Sequence, residues 1–482
     1  MHFQVIGHSA LFVRSEHTSL LVDPWLTGSC YWRSWWHYPP LGEPDPEWFE
    51  ADNVYLSHHH FDHFHYPSLR RVNRSATVFV PRFAIDFMAG ELRDLGFTRI
   101  EELSHGVTRQ LGPTFEITSY QYGFDDSALI IADNTATIAD FNDCKIRGRS
   151  LREIVGRHGS PTFLLKNHSW AQAYPHCYTS PNPADLQVLS RRQYSADFIE
   201  TVRETKAAYA IPFASSVCFL HPETRAYNDT AITPFEVAEA FAKADLPDSE
   251  LVIMGPRDSW DPDHGFRVQD WSEAYENRDA HIEELAGEVA DRIAASTAEE
   301  QATSLHWEDF ERHLSRFLAA LPPGARFVLK RPIVFEVPSD DRPFWTLDPR
   351  TREVSRRVAP PDDFASIVRI DEGLLADAIE KNLLGLVHIS MRLKVELGPG
   401  GVDTDLMFWA FVTIWEIGYL PLQDHLNRRA VGVALRRRRE LTDGVLLKLV
   451  GRGSLVERMA ANLMADEGDD ASASPPSGRA VS

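Results

Sequence analysis

The 482-residue sequence predicts an α/β protein, and three observations carry that expectation. Over about the first 260 residues, short runs rich in Val, Ile, Phe, Tyr and Thr alternate with loops and helices. A histidine-rich segment, Ser57-His58-His59-His60-Phe61-Asp62-His63, stands directly after one of those runs. From about Arg278 the texture changes to charged stretches carrying apolar residues at helical spacing.

In chain order, Phe3 to Ile6, Ala10 to Arg14, Ser19 to Val22, Asn53 to Leu56 and Thr77 to Val80 read as strands. Phe115 to Tyr120, Ala128 to Ala132 and Thr135 to Ala139 follow, with Leu164 to Asn167 and Tyr209 to Ile211 as later core strands. Between these last two, Ser195 to Lys206 has the look of a helix. Helices are expected over Ala280 to Ala295 and Trp307 to Leu321, ended by Pro322-Pro323-Gly324. A small α/β unit comes next, with strands near Phe327 to Val337 and Phe344 to Asp348. Helices from about Glu372 to Val395 and from Leu406 to Ala434 complete it. The expected organisation is therefore a catalytic unit over 1–265, a helical connector over 266–324 and an accessory unit over 325–462. A disordered Ser/Ala/Pro/Gly tail is expected over 463–482.

The totals exclude several classes. A formal charge of −21 opposes nucleic acid and anionic membranes as partners. No apolar run reaches the roughly 18 residues a bilayer span needs, and the first residues read as a strand without a secretory leader. The four cysteines, Cys30, Cys144, Cys177 and Cys218, are far apart, which argues against a disulfide framework and for a reduced, cytoplasmic protein. The basic run Arg436 to Arg439 reads as a solvated helix face or a subunit contact, which leaves a homodimer open.

The chemistry starts at His58. Side chains at a strand-to-loop junction project from the rim of a sheet, where sites commonly sit. In H-x-H-x-D-H, His58 and His60 can reach one metal ion, while Asp62 and His63 reach a second. Imidazoles with a carboxylate suit iron or zinc rather than magnesium or calcium.

The opening Gly7-His8-Ser9-Ala10 and the strand ending Val22-Asp23-Pro24-Trp25 resemble the start of metallo-β-lactamase-fold hydrolases. That resemblance implies an αββα sandwich and makes Asp23 the carboxylate that orients a ligand histidine. It also places Asp143 as a carboxylate bridging both metals, with Asp140 as its rival. His8 reads as a structural histidine outside the metal set. Asp125 or Asp126 occupies the place where zinc hydrolases carry a further histidine, and His168, His176 and His221 compete for the last ligand place. Asp62 and Asp143 are the expected catalytic carboxylates.

A narrower resemblance rests on Asp23 to Gly28, Trp35-Trp36 with Pro39-Pro40, and Tyr55 through His63 to Leu69. Asn142-Asp143-Cys144, Pro212-Phe213-Ala214 followed by His221-Pro222, and Asp258 to Asp261 extend it. Together they resemble the metallo-β-lactamase-like part of CMP-N-acetylneuraminate hydroxylase. The carboxylate at 125 or 126 is also similar to the diiron β-hydroxylases of this fold. Both resemblances imply a diiron, dioxygen-dependent oxygenase acting on an amino acid, amino sugar or sugar nucleotide. No Cys-x-His pair for a Rieske cluster stands in the sequence, so electrons are expected from a separate ferredoxin or reductase. The alternative is a zinc hydrolase of a lactone, amide or phosphodiester. The cluster Trp25, Trp32, Trp35 and Trp36 reads as packing or as a pocket wall. The accessory unit is similar to a sterol-carrier-like module, and a dimerisation domain fits its pattern equally.

Overall fold

The computed structural model describes residues 1–187, 191–425 and 427–440; the tail expected over 463–482 lies outside them. Two mixed sheets face each other. The first runs Gly265–Arg267, Ser259–Asp261, His2–Gly7, Ala10–Arg14, Ser19–Val22, Asn53–Tyr55, Thr77–Pro81, Ile100–Leu103. The second runs Glu250–Leu251, Tyr209–Phe213, Phe163–Asn167, Thr137–Asn142, Asp126–Ala132, Glu116–Tyr122, Val107–Gln110.

The alternation of strand side chains explains the sandwich. Phe3, Val5, Leu11, Val13, Leu20 and Val22 point inward and meet Ile117, Leu129, Ile131, Ile138 and Leu165 from the facing sheet. The intervening Ile6, Ala10, Phe12 and Leu21 point outward, under Trp48, Leu69 and Leu92 of the flanking helices. On the other outer face, Ile130, Ala139 and Leu164 pack under the helices Gly148–His158 and Arg191–Thr205 through Leu151, Ile154, Phe198 and Val202. Four layers result, helix on sheet on sheet on helix. This is the expected metallo-β-lactamase sandwich.

Beyond it, the helix Arg278–Ala302 buries Ile282, Ala286, Val289 and Ile293, one face at helical spacing, against Trp36, Tyr38 and Leu220. Those residues lie on or beside a small three-stranded sheet, Val217–Phe219, Trp35–His37, Ser29–Cys30. A six-stranded sheet holds the C-terminal half, in the order Tyr178–Thr179, Lys394–Leu397, Ser366–Arg369, Ile333–Glu336, Phe344–Asp348, Glu353–Arg357. Its edge strand Tyr178–Thr179 comes from the first half of the chain, so the two halves share a sheet.

Two expected helices differ. Glu372 to Val395 is two helices, Glu372–Glu380 and Leu384–Ser390, followed by a strand at Lys394–Leu397. Met391 adopts a left-handed φ of 63°, which ends the second helix. Leu406 to Ala434 is likewise divided, into Val402–Glu416 and Arg428–Arg436. Gly418, at φ 92°, and Pro421 stand between them and cannot continue a helix. None of the helices among the described residues is long and apolar enough to cross a membrane.

Candidate metal centre

The strand Asn53–Tyr55 lies between Ser19–Val22 and Thr77–Pro81, paired parallel to both, so its end opens at the rim of the sheet. Ser57 to His63 leaves from that end, and Asp23 leaves from the end of the neighbouring strand. Four residues at strand ends here carry left-handed backbones: His8 (φ 42°), Asp23 (φ 44°), Asn142 (φ 36°) and Ala214 (φ 46°). Tyr31, Trp32 and Arg33 do the same in succession, at 51°, 51° and 59°. Such conformations cost about 1–3 kcal/mol each and persist where surrounding structure holds them, typically at functional sites.

Two groups of potential ligands form. His58, His60 and Asp143 offer one ligand atom each within 4.8 Å of one another, and so do His8, Asp62 and His63. The groups adjoin through His63, whose Nε2 lies 3.4 Å from Asp62 Oδ2 and 3.5 Å from Asp143 Oδ2. That Nε2 is buried without a hydrogen-bond partner. His58 Nε2 and His60 Nδ1 face each other at 2.9 Å.

Asp23 sets the tautomers of two of these histidines. Its Oδ2 accepts from His63 Nδ1 at 2.8 Å, leaving Nε2 as the free donor atom. The same oxygen accepts from the Ser57 hydroxyl at 2.6 Å, and Ser57 Oγ lies 2.9 Å from His58 Nδ1. With the hydroxyl proton committed to Asp23, Ser57 accepts from His58 Nδ1 and leaves His58 Nε2 free. The Ser57 amide completes the arrangement on Asp23 Oδ1 at 2.7 Å.

Asp62 is held from both sides. Tyr31 donates its hydroxyl to Oδ1, and His8 Nε2 lies 2.9 Å from Oδ2. Burial opposes the charge of Asp62, but His63 and His8 hold its carboxyl well below the usual range. Burial, with repulsion from His63 and His60, keeps His58 well below the ordinary imidazole value. Burial, Asp143 and Asp125 push the Asp126 carboxyl well up. The His58 imidazole resists protonation, while Asp62 and Asp23, against burial, hold that of His63 well above the ordinary value, and Asp126 and Asp143 repel one another. A pair of cations would satisfy imidazoles and carboxylates alike, so the donor atoms fit a dinuclear metal centre.

Asp126, not Asp125, lines the cavity beside the candidate ligands, its Oδ1 3.9 Å from His58 Nδ1. Asp125 lines a separate groove with Phe124, Ile417 and Tyr419. Asp143 stands past the strand end, whereas Asp140 lies within the strand, fully buried, with neither carboxylate oxygen hydrogen-bonded. The three late histidines belong to neither ligand group. His168 is buried behind the cavity, its amide bonded to Ser215 Oγ at 3.1 Å. His221 lies 3.4 Å from Thr297 Oγ1, against the long helix. His176 sits among the residues leading to the edge strand Tyr178–Thr179.

Sequence reading set His8 aside, and the structure brings it into the second group. The Gly7-His8-Ser9 turn was the available signal. Tyr31, Lys145, Trp170 and Tyr194, all lining the cavity, carried no motif. Of the four clustered tryptophans, Trp35 lines the cavity. Trp25 lies tilted against His37 with ring centroids 4.0 Å apart, Trp36 packs on the long helix, and Trp32 Nε1 donates to Asp377 at 2.7 Å. The four cysteines are buried free thiols.

The family model of the Beta-lactamase superfamily domain matches residues 2–167. With the sandwich, that match gives the N-terminal region a metallo-β-lactamase fold. Among similar proteins, one from Mycobacterium tuberculosis described as a Rieske 2Fe-2S iron–sulfur protein is 31% identical over 252 residues, covering 49% of this chain and 48% of its own length. The cytidine monophosphate-N-acetylneuraminic acid hydroxylase of Cricetulus griseus is 35% identical over 286 residues, covering 55% and 48%. The chain thus spans about half the length of the curated relatives it matches. A solved structure of CmlA, a diiron β-hydroxylase from Streptomyces venezuelae, overlaps 54% of this chain and 53% of its own, with 17% identity and a TM-score of 0.39.

Proposed function

We propose that this protein is a dinuclear metalloenzyme, a diiron oxygenase that hydroxylates a polar small molecule with electrons from a separate donor. One observation carries the reading: six candidate ligands from three strand ends gather in two adjoining groups, with His63 Nε2 lying between two carboxylates and making no hydrogen bond among the described residues. His58, His60 and Asp143 would hold one ion, and His8, Asp62 and His63 the other, with Asp143 reaching toward both. Asp62, Asp126 and Asp143 make the set rich in oxygen donors beside its imidazoles, which suits iron. The relatives named as hydroxylases support the same chemistry. Bound iron would supply dioxygen activation once reduced.

The protein's own residues do the rest. Asp23 orients two imidazoles, and Tyr31 holds Asp62 in place with a hydroxyl kept protonated by burial and by Asp62 itself. Trp35, Val217, Phe219 and Ile389 give the cavity apolar walls that limit water. Ile389, from the C-terminal half, makes that half part of the pocket.

Elemental analysis of protein expressed with iron and zinc both available, read with its optical spectrum, tests the reading. About two irons per chain and an absorption band bleached by dithionite are expected. About two zincs and no colour would overturn the oxygenase reading in favour of a hydrolase.

A further inference from the structure

The cavity above the ligands holds about 320 Å³, room for a small organic molecule. Beside the ligand groups, one stretch of its lining carries donors that lack acceptors. Lys145 has one hydrogen-bond partner among the described residues, the neutral amide oxygen of Asn167 at 2.8 Å. Its neighbour Lys166 is paired differently, to Asp197 at 2.9 Å. Among the described residues, Lys145 forms no ion pair within 4.0 Å, although Asp143 and Asp126 lie near enough to act on its charge. Its ammonium sits 5.2 Å from the centre of the Tyr194 ring. Tyr194 in turn meets Trp170 edge-on, with ring centroids 4.6 Å apart. The buried Tyr194 hydroxyl and Trp170 Nε1–H have no hydrogen-bond partner among the described residues.

A cation and two unsatisfied donors on one wall make a costly surface unless an acceptor-rich group completes it. The two aromatic rings give the same wall an apolar floor. Asp143, Asp197 and Asp126 act on the Lys145 charge only from beyond ion-pair distance, whereas an oxyanion seated on this wall would accept a charge-assisted hydrogen bond from it and offer acceptors to Tyr194 and Trp170.

Resting on the metalloenzyme reading above, we propose that the substrate carries an oxyanion, a carboxylate or a phosphate, seated against Lys145, Tyr194 and Trp170 beside the metal centre. The wall orients the molecule and selects for charge, and the metal ligands do the chemistry.

Calorimetric titration of the metal-loaded protein with benzoate, phenyl phosphate and benzamide tests this. Benzoate or phenyl phosphate is expected to bind about tenfold or more tighter than benzamide, the scale of one charge-assisted hydrogen bond. Whichever of the two wins identifies the anion. Lys145→Met should abolish most of that preference and Lys145→Arg should keep it. Tyr194→Phe should reduce it about threefold, and it carries the test if Lys145→Met does not fold. Metal content measured in every variant separates this wall from the ligand set. Equal binding of benzamide, or a preference unchanged in Lys145→Met and Tyr194→Phe, would overturn the proposal and leave Lys145 as a counter-charge to Asp126 and Asp143. Zinc in place of iron would sink the oxygenase reading while leaving the anion preference in place.

Discussion

Two buried clusters of ionisable side chains stand in this molecule, and they are built on opposite principles. In the C-terminal half, Tyr178 donates to Asp405 Oδ2 at 2.7 Å, and His388 Nε2 lies 2.9 Å from the same hydroxyl. Ser366 donates to Asp405 Oδ1 at 2.5 Å. Nearby, Arg392 reaches Glu300 at 2.8 Å and Glu223 at 3.0 Å. These groups satisfy one another, and they join the edge strand, the long helix and the C-terminal sheet. The His58–His63 cluster is as deeply buried but, among the described residues, leaves His63 Nε2 and His8 Nδ1 without a hydrogen bond and lets Asp126 and Asp143 repel each other. Satisfied burial stabilises a fold, whereas unsatisfied burial at a cavity marks a place kept for a ligand.

Substitutions should separate the two clusters. The largest effect is expected for His60→Ala and Asp143→Ala, which should lose most bound metal while leaving the thermal unfolding of metal-free protein near wild type. Elemental analysis with calorimetry reads both. Retained metal with a large loss of stability would make this cluster another structural network.

Arg392→Met comes next. It leaves Glu300 buried without its partner and should cost about 3–5 kcal/mol in urea unfolding, with metal content unchanged. A loss of metal in that variant would mean that the C-terminal half shapes the site more strongly than through Ile389.

The smallest effect concerns pH. Burial raises the Asp405 carboxyl to about 6 and lowers His388 to about 3. Asp405 therefore contributes stability below its unfolded value of 3.8 that is lost as pH rises toward 6. His388 contributes stability above 6.5 that is lost as pH falls toward 3. The two slopes offset in the wild type. Asp405→Asn should leave stability that rises between pH 4 and 6, and His388→Gln stability that falls. Each slope is at most about 1.4 kcal/mol per pH unit. Parallel profiles in all three proteins would show that neither Asp405 nor His388 carries such a slope.

Much of the fold was legible because alternation within strands and helical spacing are local. Ala10–Arg14, Ser19–Val22 and Phe344–Asp348 have the expected bounds, and Trp307–Ala320 differs by one residue. Asn53–Tyr55, with the histidines after it, was visible for the same reason. The small sheet containing Trp35–His37 was not, since its strands are 2 or 3 residues long and one of them, Val217–Phe219, lies far from the other two in sequence.

The site divides in the same way. His58, His60, Asp62 and His63 are specified by consecutive residues at one strand end, so the sequence alone determined that they project together. Asp23 was readable from the strand beside it. That Asp143 and Asp126 line the cavity while Asp140 and Asp125 do not depended on where a strand stops and which way a turn faces. Leaving His168, His176 and His221 outside the ligand groups, and bringing in His8, Tyr31 and Ile389, depended on contacts across tens to hundreds of residues. Local spacing fixes which side chains share a strand end. Only the packing of two sheets and a third unit decides which distant side chains meet them, because that packing is set by the whole buried surface.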